Sequence, residues 1–195
     1  MVTDALEAAA ARGVQVSILA DGYGSRVLQQ KTISSMRSAG IRFRFFEPLF
    51  RSRHFYFGRR LHHKLFVADQ RYALVGGINI TNRYNDMPGK PAWLDYALLV
   101  TGEPAEKTGR ICTQLWNGDQ GPYVHDLKKT EPGSISVKRN DWERHYNEIS
   151  GTYIDMLRHA QREVTIACSY FLPGRVIRRL LRAARTRGVR IRVIT

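Results

Sequence analysis

Three observations in the sequence predict an α/β protein with helices packed on a parallel or mixed sheet. Amphipathic stretches that stop at a glycine are followed, twice in succession, by stretches of alternating apolar residues within 4–46. Helix-to-strand steps of this kind build sheets with helices on their faces. Residues 62–75 read as two short strands about a tight turn. The chain's end also repeats its beginning. Ala5-Leu6 and Arg12-Gly13-Val14-Gln15-Val16 correspond to Leu180-Leu181 and Arg187-Gly188-Val189-Arg190-Ile191 at a constant offset of 175 residues. A repeated helix–strand unit implies two similar halves.

Taken in order, a helix is expected over 4–12, capped by Thr3 or Asp4 and stopped by Gly13. Val14, Val16 and Ile18 then alternate with polar residues as a strand with one buried face. Asp21-Gly22-Tyr23-Gly24-Ser25 follows, at the end of a strand where α/β sheets build their sites. Asp21 and Tyr23 could face such a pocket, although Asp-Gly is also a common turn dipeptide. The next helix, 27–39, carries Leu28, Thr32, Met36 and Ala39 on one face, and 41–46 alternates as a strand up to Pro48.

Residues 49–60 lack a clear period and interleave Phe50, Phe55, Tyr56 and Phe57 with Arg51, Arg53, Arg59 and Arg60. This is either a lid over a site or a surface that meets lipid headgroups or bases. His54 within it receives no role. Beyond the hairpin a strand is expected over 93–100 and a helix over 105–116. Residues 118–133, which include His125, form a polar Gly/Pro connection where a domain boundary is expected.

The pattern then restarts. A short strand is expected at Ile135 and Val137, then a helix capped by Asp141 that presents Trp142, Ile149, Tyr153, Met156 and Leu157. A strand over 164–171, a helix over 175–185 and a strand over 189–194 complete the order. The expected organisation is a first half at 1–121, a linker at 122–133 and the beginning of a second half at 134–195. The first half starts at a helix with no preceding strand, and the second stops before its own equivalent of His62. A fragment is therefore expected.

Composition narrows the partners. Hydrophobic residues at 43% and charged residues at 25% are ordinary for a globular protein and exclude disorder as the default. Lys+Arg outnumber Asp+Glu by 31 to 17, a net charge of +14 that argues for phospholipid headgroups, nucleic acid or an acidic small substrate. A merely solvated basic surface is the plainer alternative. Cys112 and Cys168 stand far apart with no spacing that suggests zinc, and a reducing compartment fits them. No apolar run approaches the ~18 residues of a membrane-spanning helix, and no signal peptide is evident, so membrane contact is expected to be peripheral.

The chemistry concentrates in His62-His63-Lys64-Leu65-Phe66-Val67-Ala68-Asp69 and the following Gly76-Gly77-Ile78-Asn79. Alternation along a strand places His62 and Lys64 on one face and His63 on the other. Asp69 opens the turn. Glycines at 76 and 77 would let backbone amides approach an anion, with Asn79 adding a side-chain donor. An imidazole, an ammonium and amides converging on one spot suit phosphoryl transfer. An exposed pair on a solvated strand is the alternative.

His62, Lys64, Asp69, Gly76, Gly77 and Asn79 fall at the spacing of the HxKxxxxD motif and trailing GGxN that mark the phospholipase D superfamily. Residues 19–25, 39–46 and Tyr170-Phe171-Leu172-Pro173 most resemble its bacterial cardiolipin synthases. The resemblance implies a phospholipase D-like mixed sheet flanked by helices, in two pseudo-repeated halves of which the second is incomplete. It implies transfer of a phosphatidyl group between phospholipids, such as phosphatidylglycerol, at the cytoplasmic face of the bacterial membrane. His62 would attack phosphorus to form a phosphohistidine-type intermediate. Lys64, Asn79 and the Gly76 and Gly77 amides would hold the phosphate oxygens. Asp69 would orient the hairpin or Lys64.

By resemblance Asp95 stands behind His62 and holds its tautomer; a strand-edge Asp facing water is the alternative. No metal or other cofactor is required. The proton for the leaving alkoxide would come from a second HxK motif in the other half, which leaves this piece catalytically incomplete. Two other readings remain: a phosphodiesterase or nuclease of the same superfamily acting on lipid or nucleic acid, and a catalytically silent basic module that binds membranes or nucleic acid.

Overall fold

The structure is a computed structural model that describes residues 2–47, 60–118, 134–140 and 147–195. The chain divides into two compact units, Met1–Pro122 and Tyr123–Thr195. The first unit runs α1 (Val2–Ala11), β1 (Ser17–Asp21), α2 (Gln30–Ser38), β2 (Arg42–Phe46), β3 (Leu65–Ala68), β4 (Tyr72–Gly76), β5 (Ala97–Thr101) and α3 (Glu103–Asn117). The second has α4 (Glu148–His159), β6 (Glu163–Ala167), α5 (Arg175–Thr186) and β7 (Arg190–Ile194). Strands β1 and β2 pair in parallel, as do β6 and β7, while β3, β4 and β5 form an antiparallel meander. The expected α/β class is what the chain adopts, with its parallel and antiparallel pairings in separate small sheets.

The repeat recognised in the sequence has a physical counterpart at the helix ends. Gly13 and Gly188 follow α1 and α5 with φ of 87° and 88°. Val14 N–H donates to the Ala9 carbonyl at 3.1 Å, and Val189 N–H donates to the Ala184 carbonyl at 3.1 Å. This left-handed glycine stop caps the last carbonyls and turns the chain into the next strand.

The larger core of the first unit gathers Ile33 and Met36 of α2 against Ile41 and Phe43. Phe43 and Phe45 meet edge to face at 5.1 Å on that side of β2. The alternate residues Arg42 and Arg44 lie over the Trp116 ring near the end of α3, at 5.6 and 5.2 Å. A smaller cluster of Ala73, Val100 and Ala105, with Val67 against it, seats α3 on one face of the meander.

Several expected boundaries are corrected. Helix α1 already includes Val2, so neither Thr3 nor Asp4 is its cap. Strand β1 starts at Ser17 because its partner starts at Arg42, and Val14 stays 48% exposed. The buried residues of α2 are Ile33 and Met36, not a stripe through Thr32 and Ala39. Strand β5 begins at Ala97, opposite the end of β4 at Gly76, so Trp93 to Tyr96 precede it. No strand forms within 134–140. Strand β6 ends at Ala167, where its pairing with Ile194 ends. The expected lid with His54, the connection holding His125, and the cap and first turn at Asp141 and Trp142 lie outside the described residues.

Candidate active site

His62 and Lys64 stand just ahead of β3 on backbone that still pairs, since Gly76 N–H donates to the Lys64 carbonyl at 3.3 Å. The strand expected over 62–68 is regular only from Leu65. His62 is exposed and Lys64 half-buried. Lys64 Nζ donates to the His62 carbonyl at 2.9 Å. Burial pushes the Lys64 ammonium below the ordinary lysine range, against the upward pull of Asp21 and Asp95, while Arg60 adds to the depression. Lys64, Asp21 and Asp95 therefore share one electrostatic neighbourhood.

Asp95 sits two residues ahead of β5, half-buried, and accepts the Tyr96 N–H at 2.7 Å. No hydrogen bond joins it to the His62 ring among the described residues. A Cβ added to Gly77 would fall 2.6 and 2.7 Å from the two Asp95 carboxylate oxygens. The carboxylate fills the space that glycine leaves free. A Cβ on Gly76 would instead meet the Tyr96 carbonyl at 2.7 Å and Ala97 Cα at 2.8 Å, which are backbone atoms.

The two glycine amides are also engaged, Gly76 with Lys64 and Gly77 with the Tyr96 carbonyl at 3.3 Å. The N–H groups expected to cradle phosphate are thus both paired with backbone carbonyls. Both glycines serve close approach of the neighbouring chain, and their donors are already used in pairing. Asn79 remains exposed, with Nδ2 donating to the Tyr84 hydroxyl at 3.4 Å.

Asp69 occupies the other end of the hairpin. It and Gln70 have φ of 52° and 55°, and Arg71 N–H donates to the Ala68 carbonyl at 3.0 Å. Two consecutive left-handed residues closed by that bond make the turn whose twist matches a hairpin, and Asp tolerates the conformation. The four residues of β3, roughly 13 Å of chain, separate Asp69 from Lys64. Asp69 therefore belongs to the turn, the place from which it would orient the hairpin.

Sequence reasoning missed how far Asp21 reaches. Its Oδ2 accepts the Gly24 N–H at 2.6 Å, which is the turn expected of Asp-Gly. The same carboxylate also accepts Arg60 Nε at 2.8 Å and the Leu61 N–H at 2.8 Å. Burial alone would raise the Asp21 carboxyl, but the donors from Gly24, Leu61 and Arg60 outweigh it and hold it below the ordinary value. Asp21 thus anchors the residue immediately before His62 to the end of β1. Tyr23 lies beneath the guanidinium groups of both Arg26 and Arg60, each 4.6 Å from its ring centroid. The available signal was Arg60 itself, the last basic residue before the motif, placed after a strand-end carboxylate.

The arrangement presents an exposed histidine whose carbonyl holds a half-buried cation, with two carboxylates in that cation's field. Such a group can attack an electrophile that carries negative oxygens.

A sequence profile described as "Cardiolipin synthase, PLD-like domain" matches residues 1–89 and 153–195, which include His62, Lys64, Asp69 and Asn79 and leave Asp95 between the two stretches. The chain is 36% identical to cardiolipin synthase B of Shigella flexneri and of Escherichia coli K12, over 97% of its own length and 48% of theirs. It is 30% identical to a probable cardiolipin synthase of Bacillus subtilis 168, over 95% of this chain and 39% of that protein. The chain spans about half the length of the curated relatives it matches. Among solved structures, polyphosphate kinase of Porphyromonas gingivalis aligns with a TM-score of 0.57 at 20% identity, covering 99% of this chain and 28% of that one, a likeness of fold alone. With a profile match over more than half of its residues and a specific nucleophile motif inside it, this chain belongs to the phospholipase D-like domain family of the cardiolipin synthases.

Proposed function

We propose that this chain carries one half of a cardiolipin-synthase-type phosphatidyltransferase. The observation that carries the reading is His62 and Lys64 at one site, with Asp95 seated against Gly77 and within the field of Lys64. A ring nitrogen of His62 attacks the phosphorus of a phospholipid and forms a P–N bond as the bond to the leaving alcohol breaks. Attack by the hydroxyl of a second phospholipid's glycerol then forms the new ester and releases the imidazole. A neutral nucleophile suits this substrate, because the phosphodiester's negative oxygens repel an anion.

Lys64 and Asn79 take the charge that grows on those oxygens. Asp95 is a positioning residue. Its carboxylate holds the ring's tautomer once substrate has tightened the site, as catalytic hydrogen bonds commonly lengthen in its absence. The leaving alkoxide takes its proton from a second histidine motif in the other half of the protein, and that histidine regains one from the attacking hydroxyl as the new ester forms. On this reading units one and two belong to duplicated halves, the lipid substrates are anionic, and the site faces the cytoplasmic leaflet. No helix among the described residues is long and apolar enough to cross a membrane, which is compatible with a peripheral attachment.

The test is the full-length protein assayed with phosphatidylglycerol vesicles and, in parallel, for release of free headgroup and for cutting of plasmid DNA. Cardiolipin formation that falls on the order of 10⁴-fold or more in His62→Asn is expected. Turnover that survives the substitution overturns His62 as nucleophile, and hydrolysis or DNA cutting without cardiolipin overturns the transferase.

A further inference from the structure

Helix α5 carries Arg175, Arg178, Arg179 and Arg182, spaced three and four residues apart and hence on one face. All four are exposed, and together they line a surface groove of about 400 Å³. None forms an ion pair with an acid among the described residues. The opposite side of the helix is used by the fold: Ala184 is fully buried, and Ile177, Leu180 and Leu181 are partly buried.

The repeat separates what the fold needs from what it does not. At the offset of 175 residues, Arg178, Arg179 and Arg182 correspond to Thr3, Asp4 and Glu7 of α1. The same helix, glycine stop and backbone bonds are thus built in α1 without a basic stripe. Like charges three and four apart also oppose the helix that carries them, and α5 has no acid in its first turn to offset Arg175. The arginines weaken their own helix, which points to an anion outside it.

A second observation sits just before α5. Beyond the end of β6, Tyr170 and Leu172 are 88% and 90% exposed. A large aromatic and a large aliphatic side chain protruding beside a basic helix face match the two forces that hold a protein at a lipid interface: charge attraction to headgroups and shallow apolar insertion. A nucleic-acid surface would be expected to interleave stacking rings among the arginines, and the stripe itself holds none.

We infer that the α5 arginine stripe, with Tyr170 and Leu172 at its edge, is a docking surface for an anionic phospholipid bilayer. The choice of lipid rests on the phospholipid reading above, while the surface and its test are independent of His62. The full chain is mixed with vesicles of phosphatidylglycerol and phosphatidylcholine at 3:7, and with pure phosphatidylcholine, and bound protein is measured by flotation. Each arginine near an anionic surface contributes about fivefold in affinity. The quadruple variant R175Q/R178Q/R179Q/R182Q is therefore expected to lose roughly 10²-fold or more toward the anionic vesicles. Leu172→Ser is expected to lose several-fold.

A control of equal charge loss, K31Q/K90Q/R110Q/R162Q, is expected to lose far less, and His62→Asn to bind as wild type. If the quadruple variant fails to fold by circular dichroism, R178Q/R182Q replaces it, with a loss of roughly 25-fold expected. Unchanged binding by the stripe variant, or an equal loss in the control, overturns the docking surface. A stripe variant that binds vesicles normally but loses affinity for a duplex oligonucleotide assigns the face to nucleic acid and overturns it equally.

Discussion

The two sheets of the first unit differ in what covers them. Against β1 and β2, helix α2 seals Ile33 and Met36 to 2% and 3% exposure. Among the described residues the antiparallel meander has α3 on one face only; on the other, Phe66, Leu74 and Leu99 lie in one row of the register and remain 57%, 41% and 64% exposed. Alternation along the chain puts Lys64 on the side of Phe66. The tightly packed layer therefore carries stability, and the proposed chemistry sits on the sheet that is only half enclosed. That division is expected where a pocket must stay open to a large substrate.

Substitutions in the two layers should separate these roles, and the largest effect belongs to the sealed one. Ile33→Ala removes a fully buried side chain and should lower unfolding free energy by about 2–5 kcal/mol. Urea denaturation would measure this, with turnover per folded molecule unchanged. A loss of turnover without loss of stability would reverse the comparison.

The adjacent glycines offer a finer cut. Alanine at Gly77 pushes against the tip of Asp95, a side chain that can swing away, whereas alanine at Gly76 pushes against the backbone of β5. Gly77→Ala should cost on the order of 10²-fold in turnover with little change in melting temperature, as the carboxylate is displaced by about 1 Å. Gly76→Ala should appear in stability first. Identical behaviour of the two variants would dismiss Asp95 as a positioning residue.

The smallest effect is expected where the two layers meet, at Asp21. Its folded-state pKa lies below the ordinary 3.8, so its stabilisation is present above that value and is lost as pH falls through the depressed one. Asp21→Asn should cost about 1 kcal/mol at pH 7. The gap to wild type should close as pH drops below about 4. A gap that stays constant down to pH 2 would mean that the carboxylate's charge contributes nothing.

Much of this was legible in the residues themselves, and the failures have a common form. Helix stops at Gly13, Gly40 and Gly188 were readable because a left-handed residue leaves a local signature. The turn at Asp69 was readable for the same reason. Strand ends were not, because a strand extends only as far as its partner does: β5 begins opposite Gly76, and β1 begins opposite Arg42. Within the candidate site, His62, Lys64 and Asn79 are assigned by spacing. The engagement of the Gly76 and Gly77 amides and the reach of Asp21 to Leu61 depend on contacts between distant segments, and no local pattern encodes them.

The bond from Lys64 to the carbonyl of His62 places the cation on an uncharged oxygen of the proposed nucleophile's own backbone. A carbonyl dipole is a weaker host for an ammonium than a phosphate oxygen. On the proposed mechanism an arriving phosphodiester would draw the lysine across to its own oxygens and free the carbonyl of His62. On the proposed mechanism this contact would act as a catch that opens in response to substrate charge, and a neutral lipid would leave it closed.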